Sequence, residues 1–252
     1  MVEKSPRSLL ILPIIASIAL LACSEAHADW TGKGEAGVAL SSGNTDTKNG
    51  NLKLELASTV EQWKHAFGAA AVYASSDSVT TGRRWELSEQ SDYNFSAKSF
   101  WFGSARYEDD HFSGFEYQTT VSTGVGRHFI DTERTKLTGS AGVGYKFFET
   151  RDTYDDTGTV LLKQGESDNE GVFRGTLDYS HSLTDTTKLL DKFLVESGTE
   201  NTFIQNDLGI QVKVTDVLAL AAAYSVRYNT DPPAGFGKSD TLTTLNLVYE
   251  LK

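Results

Sequence analysis

Trp30-Thr31-Gly32-Lys33-Gly34-Glu35-Ala36-Gly37-Val38-Ala39-Leu40, near the start of the chain, sets a rhythm of two. Thr241-Leu242-Thr243-Thr244-Leu245-Asn246-Leu247-Val248-Tyr249-Glu250-Leu251 repeats it at the end. Large apolar or aromatic side chains recur at every second position, with charged or polar ones between. In an extended strand, alternate side chains face opposite sides. One side is therefore apolar and the other carries full charges. That suits a closed barrel with hydrocarbon outside and water inside.

Working outward, the same rhythm predicts twelve strands, at 30–41, 48–60, 66–76, 83–95, 99–109, 116–129, 136–148, 171–182, 187–197, 202–214, 217–229 and 240–251. An even count is the habit of single-chain bacterial barrels. Tight turns are expected at Gln62-Trp63-Lys64, Ser96-Ala97-Lys98, Asp131-Thr132-Glu133-Arg134, Thr184-Asp185-Thr186 and Thr215-Asp216. Longer loops are expected at Ser76 to Gly82, Asp109 to Glu116, Glu149 to Glu170 and Thr230 to Lys238. Short turns belong on the periplasmic side and longer loops outside, which places both termini in the periplasm. Pro232 and Pro233 fall in the last long loop, where no ladder hydrogen bond is lost.

The apolar face is read as Leu52, Leu54, Leu56, Trp85, Leu87, Trp101, Tyr107, Val143, Tyr145, Phe173, Leu177, Leu208, Ile210, Leu220 and Tyr224, among others. Its aromatic rings sort to the two strand ends: Trp30, Trp63, Tyr93, Trp101 and Phe129 at one, Tyr73, Trp85, Tyr107, Tyr145 and Phe173 at the other. Two belts of amphipathic rings match two headgroup regions. A soluble sandwich also alternates, but it packs its aromatics centrally. The fold expected is all-β: a 12-stranded antiparallel up-and-down transmembrane β-barrel over residues 29–252.

Residues 1–28 read as a secretory signal peptide. Lys4 and Arg7 give a basic start, Leu9 to Leu21 an apolar run, and Ala26-His27-Ala28 a small-x-small cleavage site. Leu20-Leu21-Ala22-Cys23 offers lipid attachment at Cys23 as the rival reading. The remainder holds no cysteine, which excludes disulfides and thiolate metal sites there. A closed ladder needs neither. The net charge of −11 argues against nucleic acid as a partner. The longest later apolar run, Val217 to Val226, is strand-length rather than helix-length.

Four stretches carry a resemblance. They are Ser42-Gly43-Asn44-Thr45-Asp46-Thr47, Phe112-Ser113-Gly114-Phe115, Asp131-Thr132-Glu133-Arg134-Thr135-Lys136 and Tyr228-Asn229-Thr230-Asp231-Pro232-Pro233-Ala234-Gly235-Phe236. In order and spacing the set resembles the YdiY-like family of salt-induced outer-membrane proteins, whose function is unknown. The resemblance implies an outer-membrane barrel linked to salt stress, and no activity. The chain ends Tyr249-Glu250-Leu251-Lys252 where outer-membrane strands commonly end in an aromatic residue, so Leu251 must fill the terminal apolar slot.

By alternation the inward face holds Lys33, Glu35, Lys53, Glu55, Arg84, Glu86, Asp92, Arg106 and Glu108, then Lys146, Arg174, Asp178, Lys192, Glu196, Asp207, Lys213, Arg227 and Glu250. Bases and acids are equal in number. A selective pore is usually lined by one sign of charge, so the balance points to bridges across a partly plugged lumen. A narrow small-solute pore is the competing reading, because twelve strands lie between a filled barrel and an open channel. The leading function is thus a small channel or envelope-integrity protein, not an enzyme.

The alternative is a lipid-acting barrel enzyme. It would use His111 and Ser113, two apart and on one face if extended, with Asp109 in the same parity. His65, His128 and His181 are read as polar residues at strand ends. In the acidic Glu149 to Glu170 loop, Asp152, Asp155 and Asp156 lack calcium-loop spacing. No cofactor motif is present. The partners expected are outer-membrane lipid and lipopolysaccharide, with periplasmic chaperones and the barrel-assembly machinery during biogenesis.

Overall fold

The computed structural model describes residues 30–42, 47–76, 79–111, 113–154, 160–233 and 235–251. The signal-peptide reading of residues 1–28 lies outside them. Strands dominate because alternating sequences bury one face and hydrogen-bond along both edges. They are β1 (Trp30–Ser42), β2 (Thr47–Val60), β3 (Trp63–Ser76), β4 (Val79–Asn94), β5 (Ser99–Asp110), β6 (Phe115–Asp131) and β7 (Thr135–Thr150). Next come β8 (Thr153–Tyr154) and β9 (Leu161–Lys163), then β10 (Ser167–Ser182), β11 (Thr187–Ser197), β12 (Thr202–Lys213), β13 (Leu218–Asn229) and β14 (Ser239–Leu251).

Twelve of these close into one antiparallel barrel, each beside its neighbour in sequence, with β8 and β9 set apart as a small ribbon. The ring shuts where β1 pairs with β14, from Gly32 opposite Leu251 to Ser42 opposite Thr241. Closure leaves no unpaired edge, so every ladder group in the apolar zone is satisfied internally.

The outward face is apolar and exposed, with Leu52, Val121, Val143, Phe173, Leu208, Leu220, Leu245 and Leu247 among its residues. Its rings meet across strands near both ends. Trp63 packs on Tyr93 at 5.1 Å near the turns, and Trp85 packs on Tyr107 at 4.8 Å near the loops. Inside, Phe100 lies directly opposite Gly126, and its ring covers the space where a side chain there would stand. An alanine at that position would collide with the ring.

Two expectations about connections are corrected. Trp63 and Lys64 belong to β3, so the first turn is only Glu61 and Gln62, with Glu61 at a φ of 54°. Ser76 to Gly82 is not a long loop, because β3 and β4 stay paired out to Ser76 and Val79, through a bulge after Ala74. Backbone pairing does not depend on the apolar face, so ladders continue past the belt where side chains turn polar. The loop-end surplus therefore rests on two connections, 151–166 and 230–238. Within the long 151–166 connection, β9 pairs with β8.

Candidate functional site

The lumen has two storeys built from the same inward register. Toward the loops, β5 places Arg106, Glu108 and Asp110 on one face by their spacing of two. Arg227 of β13 lies six strands away around the ring, across the full bore. Its guanidinium donates from Nη2 to Glu108 at 2.6 Å and from Nη1 to Asp110 at 2.6 Å. Arg106 donates to Glu108 at 2.9 Å and to Glu196 of β11 at 2.9 Å. Arg84 stands 3.8 Å from Asp110, and Glu86 3.6 Å from Arg106. Gln118 and Thr120 of β6 donate to Glu108 and Glu196, each at 3.5 Å.

Phenylalanines fill what the ions leave. Phe203 of β12 is buried between two guanidinium groups, Arg106 at 5.2 Å and Arg227 at 4.9 Å from its ring centre. The Lys146 ammonium lies over Phe115 at 5.6 Å and Phe148 at 5.8 Å. Each arginine fork bridges two carboxylates, a geometry that a lysine point charge does not reproduce. This assembly ties opposite walls of the lumen together and is termed the plug.

Below it opens a cavity of about 750 Å³ that reaches Thr31, Lys64, His128 and Thr138 at the turn end. Lys33, Glu35, Lys53, Glu55, Arg84, Glu86, Asp92, Arg106, Arg174, Asp178, Lys192, Glu196 and Asp207 all line it. Three ammonium groups share the Glu55 carboxylate: Lys192 at 2.7 Å, Lys53 at 3.1 Å and Lys33 at 3.2 Å. Lys33 also holds Glu35 at 2.8 Å.

Of the inward residues expected, Glu108, Lys146 and Arg227 sit in the plug above this cavity. Lys213 has the inward parity but stands at the turn rim, bound to Asp216 at 3.0 Å. Glu250 accepts from Gln211 at 2.9 Å. The inward phenylalanines were missed by the sequence reading. Phe102, Phe148 and Phe203 share the parity of charged neighbours, so alternation carried the signal. Phe115 did not, because a bulge after it shifts the register.

His111 and Ser113 are engaged separately. The Ser113 hydroxyl donates to the Asp110 carbonyl at 3.0 Å, and Arg151 donates to His111 Nδ1 at 2.7 Å. Arg151 also holds Asp109 at 3.0 Å and Glu116 at 2.8 Å. The loop trio Asp152, Asp155 and Asp156 lies partly outside the described residues, within which Asp152 accepts from the Gly165 amide at 2.8 Å.

His65 stands near the start of β3, beside the Glu61–Gln62 turn, and has partners that the sequence did not show. Pairing of β3 with β4 brings it to Ser91 at 2.7 Å, and Ser91 donates to Glu89 at 2.5 Å. All three have the outward parity. Spacing along one strand cannot reveal a neighbour on the next. In this order the serine proton goes to the carboxylate rather than to the imidazole, the reverse of a nucleophile–base relay. A second outward polar pair joins Asn206 to Asp191 at 2.6 Å. Hydrogen bonding lowers the cost of holding such carboxylates in an apolar face.

A family model described as a protein of unknown function, DUF481, matches residues 34–251. The uncharacterized protein YdiY of Escherichia coli (strain K12) is 24% identical over 233 residues, covering 90% of this chain and 86% of YdiY. Among solved structures, the translocator domain of the autotransporter NalP from Neisseria meningitidis is similar, with a TM-score of 0.54, 13% identity and 96% of each chain covered. The NanC porin also has a TM-score of 0.54, with 9% identity, 87% of this chain and 100% of that one covered. These structures are alike in fold.

Proposed function

We propose, on the premise that the chain belongs to DUF481, a family of proteins of unknown function, that it is an outer-membrane barrel acting as a narrow small-solute channel held closed. The plug carries this reading. At the loop end the bore is crossed by Arg227, Glu108, Asp110, Arg106 and Glu196, with Phe203 buried beside them. The cavity beneath it is large enough for a small polar solute.

In this reading the turns and termini face the periplasm and the cavity is a vestibule open to that side. Export through the residues 1–28 signal, insertion by the barrel-assembly machinery, and a setting of lipid and lipopolysaccharide belong to the same proposal. So do a non-enzymatic role and the link to salt stress implied by the family resemblance. The exposed apolar belt between two rings of aromatics supports the membrane setting.

Conductance in planar bilayers tests it. Purified wild-type protein should stay near baseline, and Arg227→Ala should give discrete openings. Steady porin-like conductance from wild type would overturn the closed state. A folded Arg227→Ala barrel that stays silent would make the protein a permanently plugged, structural barrel.

A further inference from the structure

Alternation counted the inward charges as equal, but the folded lumen does not pair them equally. At the loop end Arg84, Arg106, Lys146 and Arg227 stand among Glu86, Glu108, Asp110, Glu196 and, by register, Glu170 and Asp240, and Arg174 lies just below them. Ion pairs take up Arg84, Arg106 and Arg227. Lys146 lies over two phenylalanine rings. Arg174 is the remainder. Among the described residues it makes no ion pair within 4 Å, and its buried Nη1 meets no protein acceptor.

The surroundings of Arg174 are arranged rather than accidental. Its guanidinium lies over the ring of Phe102, 5.3 Å from the centre. Gly142 stands directly opposite on β7, and the Thr123 backbone of β6 fills the place of a side chain there. One step toward the turns, Thr176 and Ser140 face each other with their hydroxyls 2.6 Å apart. Glu196, directly opposite on β11, is held by Arg106 instead. Arg174 therefore borders the cavity just under the plug, with one spare donor beside two hydroxyls.

We propose that this is a binding site for a small organic carboxylate. The carboxylate lies in the plane of the Arg174 fork and accepts from Nη1, with the hydroxyl of the Ser140–Thr176 pair that does not donate to the other supplying a further hydrogen bond. A planar two-oxygen anion matches that fork, and a guanidinium with a buried, unused donor gains by receiving one. The inference rests on the closed-vestibule reading for the side from which the solute arrives.

The test is thermal unfolding of the detergent-purified barrel in sodium acetate against sodium chloride at equal ionic strength. Wild type should show a saturable rise in midpoint with acetate that chloride does not give. Arg174→Gln should abolish the difference. Arg174→Lys, which keeps the charge over Phe102, should fold as wild type does and lose most of it, and Lys192→Gln should keep it. Equal responses to acetate and chloride, or an acetate response that survives Arg174→Gln, would overturn the site and leave Arg174 merely hydrated. Bilayer conductance of the same preparation judges the closed channel separately, so either reading can fail alone.

Discussion

Two ion pairs of nearly the same length cross the same barrel. Arg227 reaches Glu108 at 2.6 Å near the loops, and Lys192 reaches Glu55 at 2.7 Å near the turns. Their side chains are 7% and 1% exposed in the first pair, and 50% and 26% in the second. Distance alone would rank them as equals. Burial separates them, because a charge removed from water depends on its partner while a hydrated one does not. The residue types follow the same division. Arginines, with two-carboxylate forks, build the dry plug around phenylalanines. Lysines line the wet vestibule, where three of them crowd one carboxylate.

The sharpest challenge to this contrast is Arg227→Ala. Glu108 and Asp110, both buried, would lose a shared partner, at a cost of about 3–5 kcal/mol. Urea unfolding of the barrel in lipid vesicles measures it, and a loss under about 1 kcal/mol would erase the difference between the storeys. Phe203→Ala comes next. It removes the ring between two guanidinium groups but leaves the ion pairs in place, so about 2–4 kcal/mol is expected by the same measurement. A null result would mean that the ions alone close the bore. The smallest effect belongs to Lys192→Ala, at most about 1 kcal/mol, and that part should shrink as salt is raised. A cost matching that of Arg227→Ala would show the vestibule to be as dry as the plug.

Much of this barrel is legible in the chain itself. Leu245, Leu247, Tyr249 and Leu251 face out while Thr244, Asn246 and Glu250 face in, because strand geometry gives side chains a period of two. The same period placed Arg106 and Glu108 inside, and should have placed Phe102 and Phe203 with them. The period gives no warning of bulges, so Phe115 escaped it, and so did the extent of β3 and β4 past the apolar belt. Nor does it warn of outward polar groups. Glu89, Ser91 and His65 occupy apolar-face positions that a neighbouring strand makes tolerable.

What the amino-acid order determined by itself is which way each side chain points, since that depends only on the backbone of its own strand. It also determined that the ribbon can close, by leaving a continuous apolar face and short turns. Which charges meet was decided only in three dimensions. Arg227 and Glu108 are 119 residues apart, on strands that never pair, and closure of the ring sets them across a bore narrow enough to touch. The lack of an ion pair at Arg174 has the same origin. A count along the chain sees equal numbers, but reach across a lumen, and not number, determines which cation is left over.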